Sequence, residues 1–444
     1  MSIPQPQSAG TRTSAVVTLL TNGASAVGSL VFGIAAARWF GASARGQIVA
    51  VMYWPTLIAV LAMLGVPTAT TYYAAHDHDE AGSIIGTGMA MMAVTGAICS
   101  VAVAALAPFL IGDAAPEVVA ATRLFSISIL LTVVVNVSYH PLRVMGHMTA
   151  WNVIRLLIDL TPLGALVALM FVSSRALVTY SGLMLGIQAA VMVVALAIVC
   201  RSARIRVHRS WTKRLILYGL PTVLATLPAL LNFRVDQAFL VRLVSSAQLG
   251  NYATAVGWSQ AVLVVTNVIN YLVLPRVARL RGAERLAEYD HLLRFSVLLI
   301  VLVVVPLTAV SPVVVPVLFG PEFAEAGRLA LVLVPSAGLL GLIAVSEEVL
   351  RADHKLRGPL ISQVTGVAVT LAALFVVVPW AGVWGAALVS LFAYIIVCGV
   401  LGWFLRDVGL PLSAPFLVPR RRQWQALVEM GRAAGRKVVG AVGR

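Results

Sequence analysis

Residues 295–318 read FSVLLIVLVVVPLTAVSPVVVPVL, which is twenty-four consecutive residues without a charged side chain. A helix of about 20 apolar residues crosses the hydrocarbon core of a bilayer, so this stretch predicts a transmembrane helix. The whole chain has the same character, because 60% of its 444 residues are hydrophobic and only 11% are charged. Soluble domains carry about 25% charged residues. The composition therefore excludes a soluble enzyme domain, a disordered chain and a disulfide scaffold.

Apolar runs of this length recur along the chain and predict its fold class. Lipid offers no hydrogen-bond partners, so a run this long must form a helix that satisfies its own backbone. We therefore predict an all-α integral membrane protein with about twelve transmembrane helices. The runs lie near 14–37, 47–70, 84–111, 118–140, 150–172, 176–200, 215–241, 249–274, 294–318, 326–349, 358–379 and 382–404.

Sequence landmarks repeat at a nearly constant spacing between the two halves of the chain. Gly46 and Gly250 lie 204 residues apart in equivalent loops, while Gly112 and Gly320, which each close a run, lie 208 apart. This spacing predicts two copies of a six-helix unit. Because six is an even number, both copies cross the membrane in the same direction and form parallel bundles. Substrate sites in transporters built from such repeats usually lie near mid-membrane between the repeats.

The repeats and the basic segments divide the chain into four predicted parts. The N-terminal six-helix bundle covers 1–200 and the C-terminal bundle covers 215–405. Between them, residues 201–214 alternate basic and apolar side chains, as is typical of an amphipathic cytoplasmic linker on a membrane surface. Residues 406–444 predict a basic amphipathic tail on the cytoplasmic leaflet.

Basic residues are distributed asymmetrically and predict the orientation in the membrane. The chain has 32 Lys and Arg against 17 Asp and Glu. With the N-terminus inside, 24 of the basic residues fall in cytoplasmic segments and five in external loops. Cytoplasmic loops carry the excess of Lys and Arg, so both termini are predicted to be cytoplasmic. The positive charge then faces anionic lipid rather than nucleic acid.

The sequence motifs of common enzyme classes are absent. The chain contains no GxxxxGK[ST] phosphate loop, no HExxH and no GxSxG. Its three cysteines, Cys99, Cys200 and Cys398, are far apart and lie in apolar runs. The acidic segment 76–80, HDHDE, has the side chains of a divalent cation site, but a solvated loop is the favoured interpretation. We predict a transporter with no catalytic residues, no cofactor and no metal site.

Charged residues inside the predicted spans indicate where function lies, since each costs at least about 2.5–3.5 kcal/mol to insert. Arg123, Arg155 and Arg234 are the basic residues within spans. Arg155 and Asp159 are four residues apart, so they form a structural ion pair, an ion-coupled switch, or a basic lining group held by its acid. Arg123 lies near the external end of its run, where snorkelling of the side chain to the membrane surface is an alternative explanation for the charge.

The seventh run combines three polar residues in one turn of helix. At about 100° per residue, Asn232 and Asp236 share a face, and Arg234 points about 200° away from each of them. Arg234 and Asp236 therefore do not pair easily with each other. Arg234 is predicted to face a water-filled cavity.

Polar stripes on other runs leave two interpretations open. Asn136 and His140 are one turn apart on the fourth run, and Asn267 and Asn270 lie on the eighth. Interhelical hydrogen bonds explain such stripes about as well as substrate contact does. Glu348 follows His140 by 208 residues, which places an acid in one half where the other half has a titratable base.

Buried basic groups in a low-dielectric cavity favour an anionic substrate. Guanidinium groups suit bidentate contact with phosphate, so a large membrane-embedded anion suggests a lipid-linked phosphate or pyrophosphate. The predicted substrate-binding residues are Arg234, Arg155, Arg123, Asn232, Asn267 and Asn270. The predicted ion-coupling or switch residues are Asp236, Asp159, Glu348 and His140.

Short motifs in a fixed order resemble a known family. They are AAARWFG at 35–41, LGVP at 64–67, YGLP at 218–221 and LFGPEF at 318–323. Over about 14–405 the chain resembles the polysaccharide-transport (Wzx-like) oligosaccharide flippases of the multidrug/oligosaccharidyl-lipid/polysaccharide (MOP) exporter superfamily. Asp236 matches the acid of that family's span-seven motif. The lipid II flippases are similar, but the first run of this chain has none of their arginines.

The resemblance implies a twelve-helix, V-shaped, MATE-like transporter of the bacterial inner membrane that works by alternating access. Such proteins move undecaprenyl-diphosphate-linked oligosaccharides to the external leaflet, and coupling to a proton or sodium gradient is proposed for them. Expected partners are the lipid-linked oligosaccharide, anionic membrane lipids, and a glycan polymerase or glycosyltransferases of the same pathway. The alternative is a cation-coupled multidrug exporter of the same superfamily, a class that Asp236 also fits.

Overall fold

The computed structural model describes residues 8–112, 115–172, 176–264, 266, 280–413, 418–421 and 423–425, with the side chains of 8–16 and 19 excepted. Within these ranges the regular secondary structure is helical, and they contain no β-strand. The predicted all-α membrane fold class is confirmed. The predicted tail helix falls largely on residues 426–444, outside the described part of the chain.

Twelve α-helices with defined bounds form the described framework, joined by short loops and two 3₁₀ turns at His140–Arg143 and Pro321–Phe323. Their bounds are α1 Ser8–Ala62, α2 Val66–His76, α3 Ala81–Ile111, α4 Pro116–Phe125, α5 Ile127–Tyr139, α6 Met148–Val172, α7 Leu177–Ser202, α8 Ser210–Leu243, α9 Ser246–Ser259, α10 Gly282–Phe319, α11 Ala324–Ala352 and α12 Arg357–Arg406.

The number of membrane crossings does not equal the number of helices. Across the described residues, nine helical segments are long and apolar enough to cross a bilayer. Two of them, Leu20–His76 with 57 residues and Arg357–Arg406 with 50, are each long enough for two crossings of about 20 residues. The predicted eighth run falls partly on 267–279, outside the described residues, so the count of twelve is approximate.

Backbone kinks replace two of the predicted loops. We predicted an external loop over 38–45, but the helix α1 continues through this segment and kinks at Gly41, where φ is 76° and ψ is 176°. The helix α12 kinks in the same manner at Gly382, where φ is 53° and ψ is −135°. Glycine adopts these angles with little steric cost, so one residue redirects the chain and no separate loop is needed.

The chain divides into two compact units. The first contains residues 1–227 and 237–250, and the second contains 228–236 and 251–444. Helix α8 therefore contributes residues to both. These bounds do not test the predicted bundles and linker, which stay predictions.

In the first unit, small residues allow two helices to approach at backbone distance. A Cβ atom added to Gly46 on α1 would lie 1.7 Å from the carbonyl oxygen of Ser246 on α9. One added to Gly250 would lie 2.0 Å from the carbonyl oxygen of Ala42. The two contacts mirror each other, because Ala42 and Gly46 precede Ser246 and Gly250 by the same 204 residues.

The segment that links α7 to α8 is extended and lies along α3. The amide of Arg206 donates to the carbonyl of Gly82 at 3.3 Å, and the amide of His208 donates to Oγ1 of Thr87 at 2.9 Å. Added Cβ atoms at Gly82 and Gly86 would lie 2.1 and 2.3 Å from the carbonyl oxygens of Arg204 and Arg206. The glycines of α3 thus form a groove for this backbone.

In the second unit, α11 packs between α10 and α12. Its core is built from fully buried aliphatic and aromatic residues, among them Tyr289, Leu293 and Val349. Buried polar side chains lie beside this core, including Asn232, Glu347 and Gln363. Because buried polar groups are costly unless they are paired, their partners define the candidate site.

Candidate functional site

A seam of polar side chains joins α1 to α6 in the first unit. Oγ1 of Thr21 donates to Oδ1 of Asn152 at 3.0 Å, and Nδ2 of Asn152 donates to Oγ1 of Thr18 at 3.1 Å. Asn152 is fully buried and Thr21 is 9% exposed. Hydrogen bonds of this kind hold helices together in membranes, and this pair fixes the register of α1 on α6.

The same seam holds two of the predicted site residues, Arg155 and Asp159. Nη2 of Arg155 donates to Oδ1 of Asn22 and lies 3.5 Å from Oγ1 of Thr21, while its guanidinium stacks over the Trp151 ring. Oδ2 of Asp159 accepts a 2.7 Å hydrogen bond from Ser25. Each charge is therefore held by α1, and no ion pair joins the two within the described part of the chain.

A cavity of about 160 Å³ lies inside the first unit. Helices α1, α4, α5, α6 and α7 line it, with Pro55, Thr132, Thr161 and Gln188 among the lining residues. Oε1 of Gln188 is buried and makes no hydrogen bond with the described residues. Sequence reasoning did not identify this cavity, because its lining residues are mildly polar and are spread over four runs.

In the second unit, the α8 residues Asn232 and Asp236 are both buried, at 5% and 8% exposure. The fully buried Tyr252 on α9 donates its hydroxyl hydrogen to Oδ2 of Asp236. Four residues separate Asn232 from Asp236, so the two share a helix face as predicted.

A chain of hydrogen bonds leads from Asn232 through α12 to α11. Oγ1 of Thr370 donates to Oδ1 of Asn232 at 3.0 Å, and Nδ2 of Asn232 donates to Oε1 of Gln363 at 3.2 Å. Nε2 of Gln363 then donates to Oε1 of Glu347 at 2.7 Å. Arg351 closes the chain, because its Nη2 donates to Oε2 of Glu347 at 2.6 Å.

Four further predicted site residues lie on α4, α8, α11 and the 3₁₀ turn at His140–Arg143. Arg234 is half-buried, with its guanidinium 5.1 Å from the Phe233 ring centroid. Arg123 is exposed on α4. His140 is half-buried at the start of a 3₁₀ turn, beside the ring of Tyr139.

Glu348 is half-buried and accepts a 3.1 Å hydrogen bond from Nη1 of Arg351. Arg351 thereby pairs with two acids, since it also forms an ion pair with Glu347. Asn267 and Asn270 lie outside the described residues.

The sequence analysis identified these residues but not their hydrogen-bond partners. The sequence nevertheless carries a signal for those partners. Thr18, Thr21, Asn22 and Ser25 recur at helical spacing in the first run, as do Asn152, Arg155 and Asp159 in the fifth. Matching two polar stripes of the same period would have paired α1 with α6. Gln363 and Thr370, seven residues apart on one helix face, are a similar signal in the eleventh run.

The acidic segment 76–80 is tied into the first unit. Glu80 accepts a hydrogen bond from the Trp211 indole, and Nδ1 of His76 lies 2.8 Å from the Tyr72 carbonyl oxygen. Among the residues that the structure describes, no three His, Cys, Asp or Glu side chains are grouped so that they could hold a metal ion.

Comparison with protein families identifies the group to which this helical membrane protein belongs. A family model described as "Polysaccharide biosynthesis protein" matches residues 36–328, about two thirds of the chain. The chain belongs to this family. The sequence resemblance to polysaccharide-transport flippases is thereby confirmed. No curated protein gives a significant match to this member of the family.

Solved structures show the fold of this polysaccharide biosynthesis protein. The lipid II flippase MurJ, in an inward closed conformation, matches with a TM-score of 0.72 at 11% identity, covering 90% of this chain and 89% of that one. An inward-facing multidrug resistance MATE family transporter of the MOP superfamily matches with a TM-score of 0.69 at 14% identity, covering 87% and 95%.

A MOP superfamily transporter from Pyrococcus furiosus, described as having a binding pocket of reverse polarity, gives a TM-score of 0.54 at 16% identity, covering 91% and 94%. The polysaccharide biosynthesis protein therefore has the MOP transporter fold and is a multi-pass membrane protein.

Proposed function

We propose that this protein is a flippase that moves an undecaprenyl-diphosphate-linked oligosaccharide or polysaccharide precursor across the bacterial cytoplasmic membrane by alternating access. The observation that carries the proposal is the polysaccharide biosynthesis family match over residues 36–328 on a chain with the MOP transporter fold. The structure most similar by TM-score among those described above is itself a flippase of a lipid-linked precursor.

The polar seam of the first unit supports an anionic cargo. Arg155 is held at one edge by Asn22 and at one face by Trp151, and neither neighbour neutralises its charge. A guanidinium positioned in this way keeps donors for a phosphate group. Arg234 and Arg123 are the further proposed contacts, with Asn232, Asn267 and Asn270 as polar contacts to the glycan or to its linkage.

Coupling to a proton or sodium gradient is the proposed energy source. Asp236 and Asp159 are the candidate switch carboxylates, with Glu348 and His140 as secondary candidates. Each acid lies in a helical segment long enough to cross the membrane. An ionisable group in such a segment is a functional candidate because its burial is costly.

The decisive experiment measures lipid-linked saccharides in cells that lack the protein. The flippase proposal expects an undecaprenyl-diphosphate saccharide to accumulate on the cytoplasmic side while surface glycan falls. The mass of the accumulated species would identify the cargo. Unchanged lipid-linked pools and unchanged surface glycan would refute the proposal.

Substitution of one arginine tests the basic site in the same cells. We expect Arg234→Ala to abolish glycan export while the protein remains folded in the membrane. Arg328→Ala is the matched control, because Arg328 is an exposed arginine on α11 that is not among the candidates. Normal export by the Arg234 variant would contradict the assigned role.

The second candidate function is a cation-coupled multidrug exporter. It is favoured by the match to a MATE family transporter and by the buried carboxylate of Asp236. This alternative predicts loss of dye efflux in the deletion strain together with normal lipid-linked pools. The two functions therefore give opposite results in one strain.

A further inference from the structure

The hydrogen-bond chain of the second unit has a single direction. Both oxygens of Glu347 accept, one from Gln363 and one from Arg351. A carboxylate offers only acceptors, so Gln363 must turn its NH₂ group toward Glu347 and its carbonyl toward Asn232. Asn232 must then present NH₂ to Gln363 and its carbonyl to the Thr370 hydroxyl. The acid at one end thus fixes the orientation of both amides.

The surroundings of the Asn232 and Gln363 amides keep the hydrogen-bond chain in place. Glu347 is 5% exposed, Asn232 5%, Gln363 7% and Thr370 2%, so water does not compete for their hydrogen bonds. A Cβ atom added to Gly366 on α12 would lie 2.7 Å from Nδ2 of Asn232. Glycine at this position therefore leaves the space that the Asn232 amide occupies.

We propose that Glu347, acting through Gln363, sets which way the Asn232 amide points and is thus a positioning residue for the polar face of α8. The second N–H of Asn232 and the second lone pair of its carbonyl remain for a ligand on that face, beside Asp236. This inference rests on the proposed function, in which Asn232 contacts the cargo and Asp236 the coupling ion. Glu347 acts on Asn232 through one intervening side chain, that of Gln363.

The substitution Glu347→Gln reverses the donor-to-acceptor direction of this hydrogen-bond chain, and it keeps the number of heavy atoms in the side chain. Arg351 only donates, so the new glutamine must give its carbonyl to Arg351 and its NH₂ to Gln363. Gln363 must then rotate its amide, and Asn232 must follow and present NH₂ to Thr370. On the ligand side of Asn232, the remaining N–H and the remaining carbonyl lone pair would exchange places.

The double variant Glu347→Gln with Gln363→Glu restores the native direction. The carboxylate now stands at 363 and accepts from both the new glutamine and Asn232, while the carbonyl of residue 347 accepts from Arg351. Asn232 therefore keeps its native orientation although the charge beside Arg351 has moved. A local role for the Glu347–Arg351 ion pair predicts no such recovery.

Two readouts are needed so that this inference and the proposed function fail separately. Glycan export in cells should fall about threefold to tenfold in Glu347→Gln, the range for one net hydrogen bond, and should return to near wild type in the double variant. The melting temperature of the purified protein should show the same fall and recovery. The melting result does not depend on what the protein transports.

Controls isolate each step of the argument. Glu325→Gln, which neutralises an acid in the first turn of the same helix α11 that is not among the site candidates, should leave both readouts near wild type. Gly366→Ala should reproduce the export defect by displacing Asn232, whereas Gly399→Ala on the same helix, where the new Cβ meets open space, should not. A double variant as impaired as Glu347→Gln in both readouts would overturn the proposal.

Discussion

At the scale of single residues, the burial of Asp236 depends on a phenol. Tyr252 is fully buried and its hydroxyl donates to the Asp236 carboxylate. A buried carboxylate that loses one donor bears more of the cost of its own desolvation. Tyr252 therefore belongs to the candidate site, although an aromatic residue in an apolar run gives no sign of this role in the sequence.

Removal of that hydroxyl gives the first prediction. We expect Tyr252→Phe to lower the free energy of unfolding by about 1.5–3 kcal/mol, the range for a hydrogen bond to a charged group. Tyr180→Phe is the control, because the Tyr180 hydroxyl donates to an uncharged acceptor, the Pro162 carbonyl, at 3.3 Å. Its loss should cost about 0.5–1.5 kcal/mol. Denaturation in detergent measures both values, and equal losses would contradict the prediction.

Individual site residues were easier to predict than their partners. Arg155, Asn232 and Asp236 stand out because a polar residue in an apolar run is costly. Gln363 and Asn22 are equally polar, but their role depends on which helix lies opposite, and helix rotation is not encoded in a hydropathy pattern. The structure supplies that rotation, and with it the partners.

At the scale of elements, glycine determines both where helices bend and where they touch. At Gly41 and Gly382 a kink takes the place of a predicted loop. Hydropathy therefore predicted the apolar runs at both ends of the chain, but not that the two runs of each pair form one continuous, kinked helix. Gly46 and Gly250 allow backbones to meet at distances that any side chain would prevent. The regular 204-residue spacing was visible in the sequence, and the mutual contact gives the physical reason why both positions are glycine.

Two glycines of α1 give a matched test of that contact. We expect Gly46→Ala to reduce the yield of folded protein and its melting temperature, because the new methyl group would overlap backbone atoms of Ser246 and Gly250. Gly23→Ala should be neutral or slightly stabilising, since its Cβ meets nothing within 4 Å and alanine favours helix. Size-exclusion profiles and thermal melts of both variants measure the effect, and an unaffected Gly46 variant would show that α1 and α9 separate without cost.

At the scale of the whole molecule, the distribution of charge predicts the orientation in the membrane. Basic residues concentrate in the segments assigned to the cytoplasm. Arg209, directly before α8, is assigned to the cytoplasmic side of the membrane, and Arg242, near the end of α8, is assigned to the external side. Both side chains are exposed. The orientation is therefore open to chemical labelling.

Single cysteines test the orientation in a background where Cys99, Cys200 and Cys398 are replaced by serine. We expect a membrane-impermeant maleimide to label Arg242→Cys in intact cells and to label Arg209→Cys only after the cells are opened. The excess of Lys and Arg on the cytoplasmic side is the physical reason. The opposite pattern of labelling would invert the topology and place both termini outside.

The extended, arginine-rich segment between α7 and α8 is predicted to be a poor protease substrate. Arg204, Arg206 and Arg209 each present a trypsin recognition side chain to solvent. A protease, however, must draw several residues of backbone into its cleft, and here the backbone is hydrogen-bonded to α3 and pressed against Gly82 and Gly86. Cleavage must therefore wait for local opening.

We expect trypsin added to inside-out vesicles to spare this loop in the wild-type protein and to cut it rapidly in Gly86→Ala, with Gly182→Ala as the control that leaves the digestion pattern unchanged. Rapid cleavage of the wild-type protein would show that the segment between α7 and α8 is held only loosely against α3. A resistant wild type means that α7 and α8 are joined without slack, so a movement of the start of α8 is transmitted to α3.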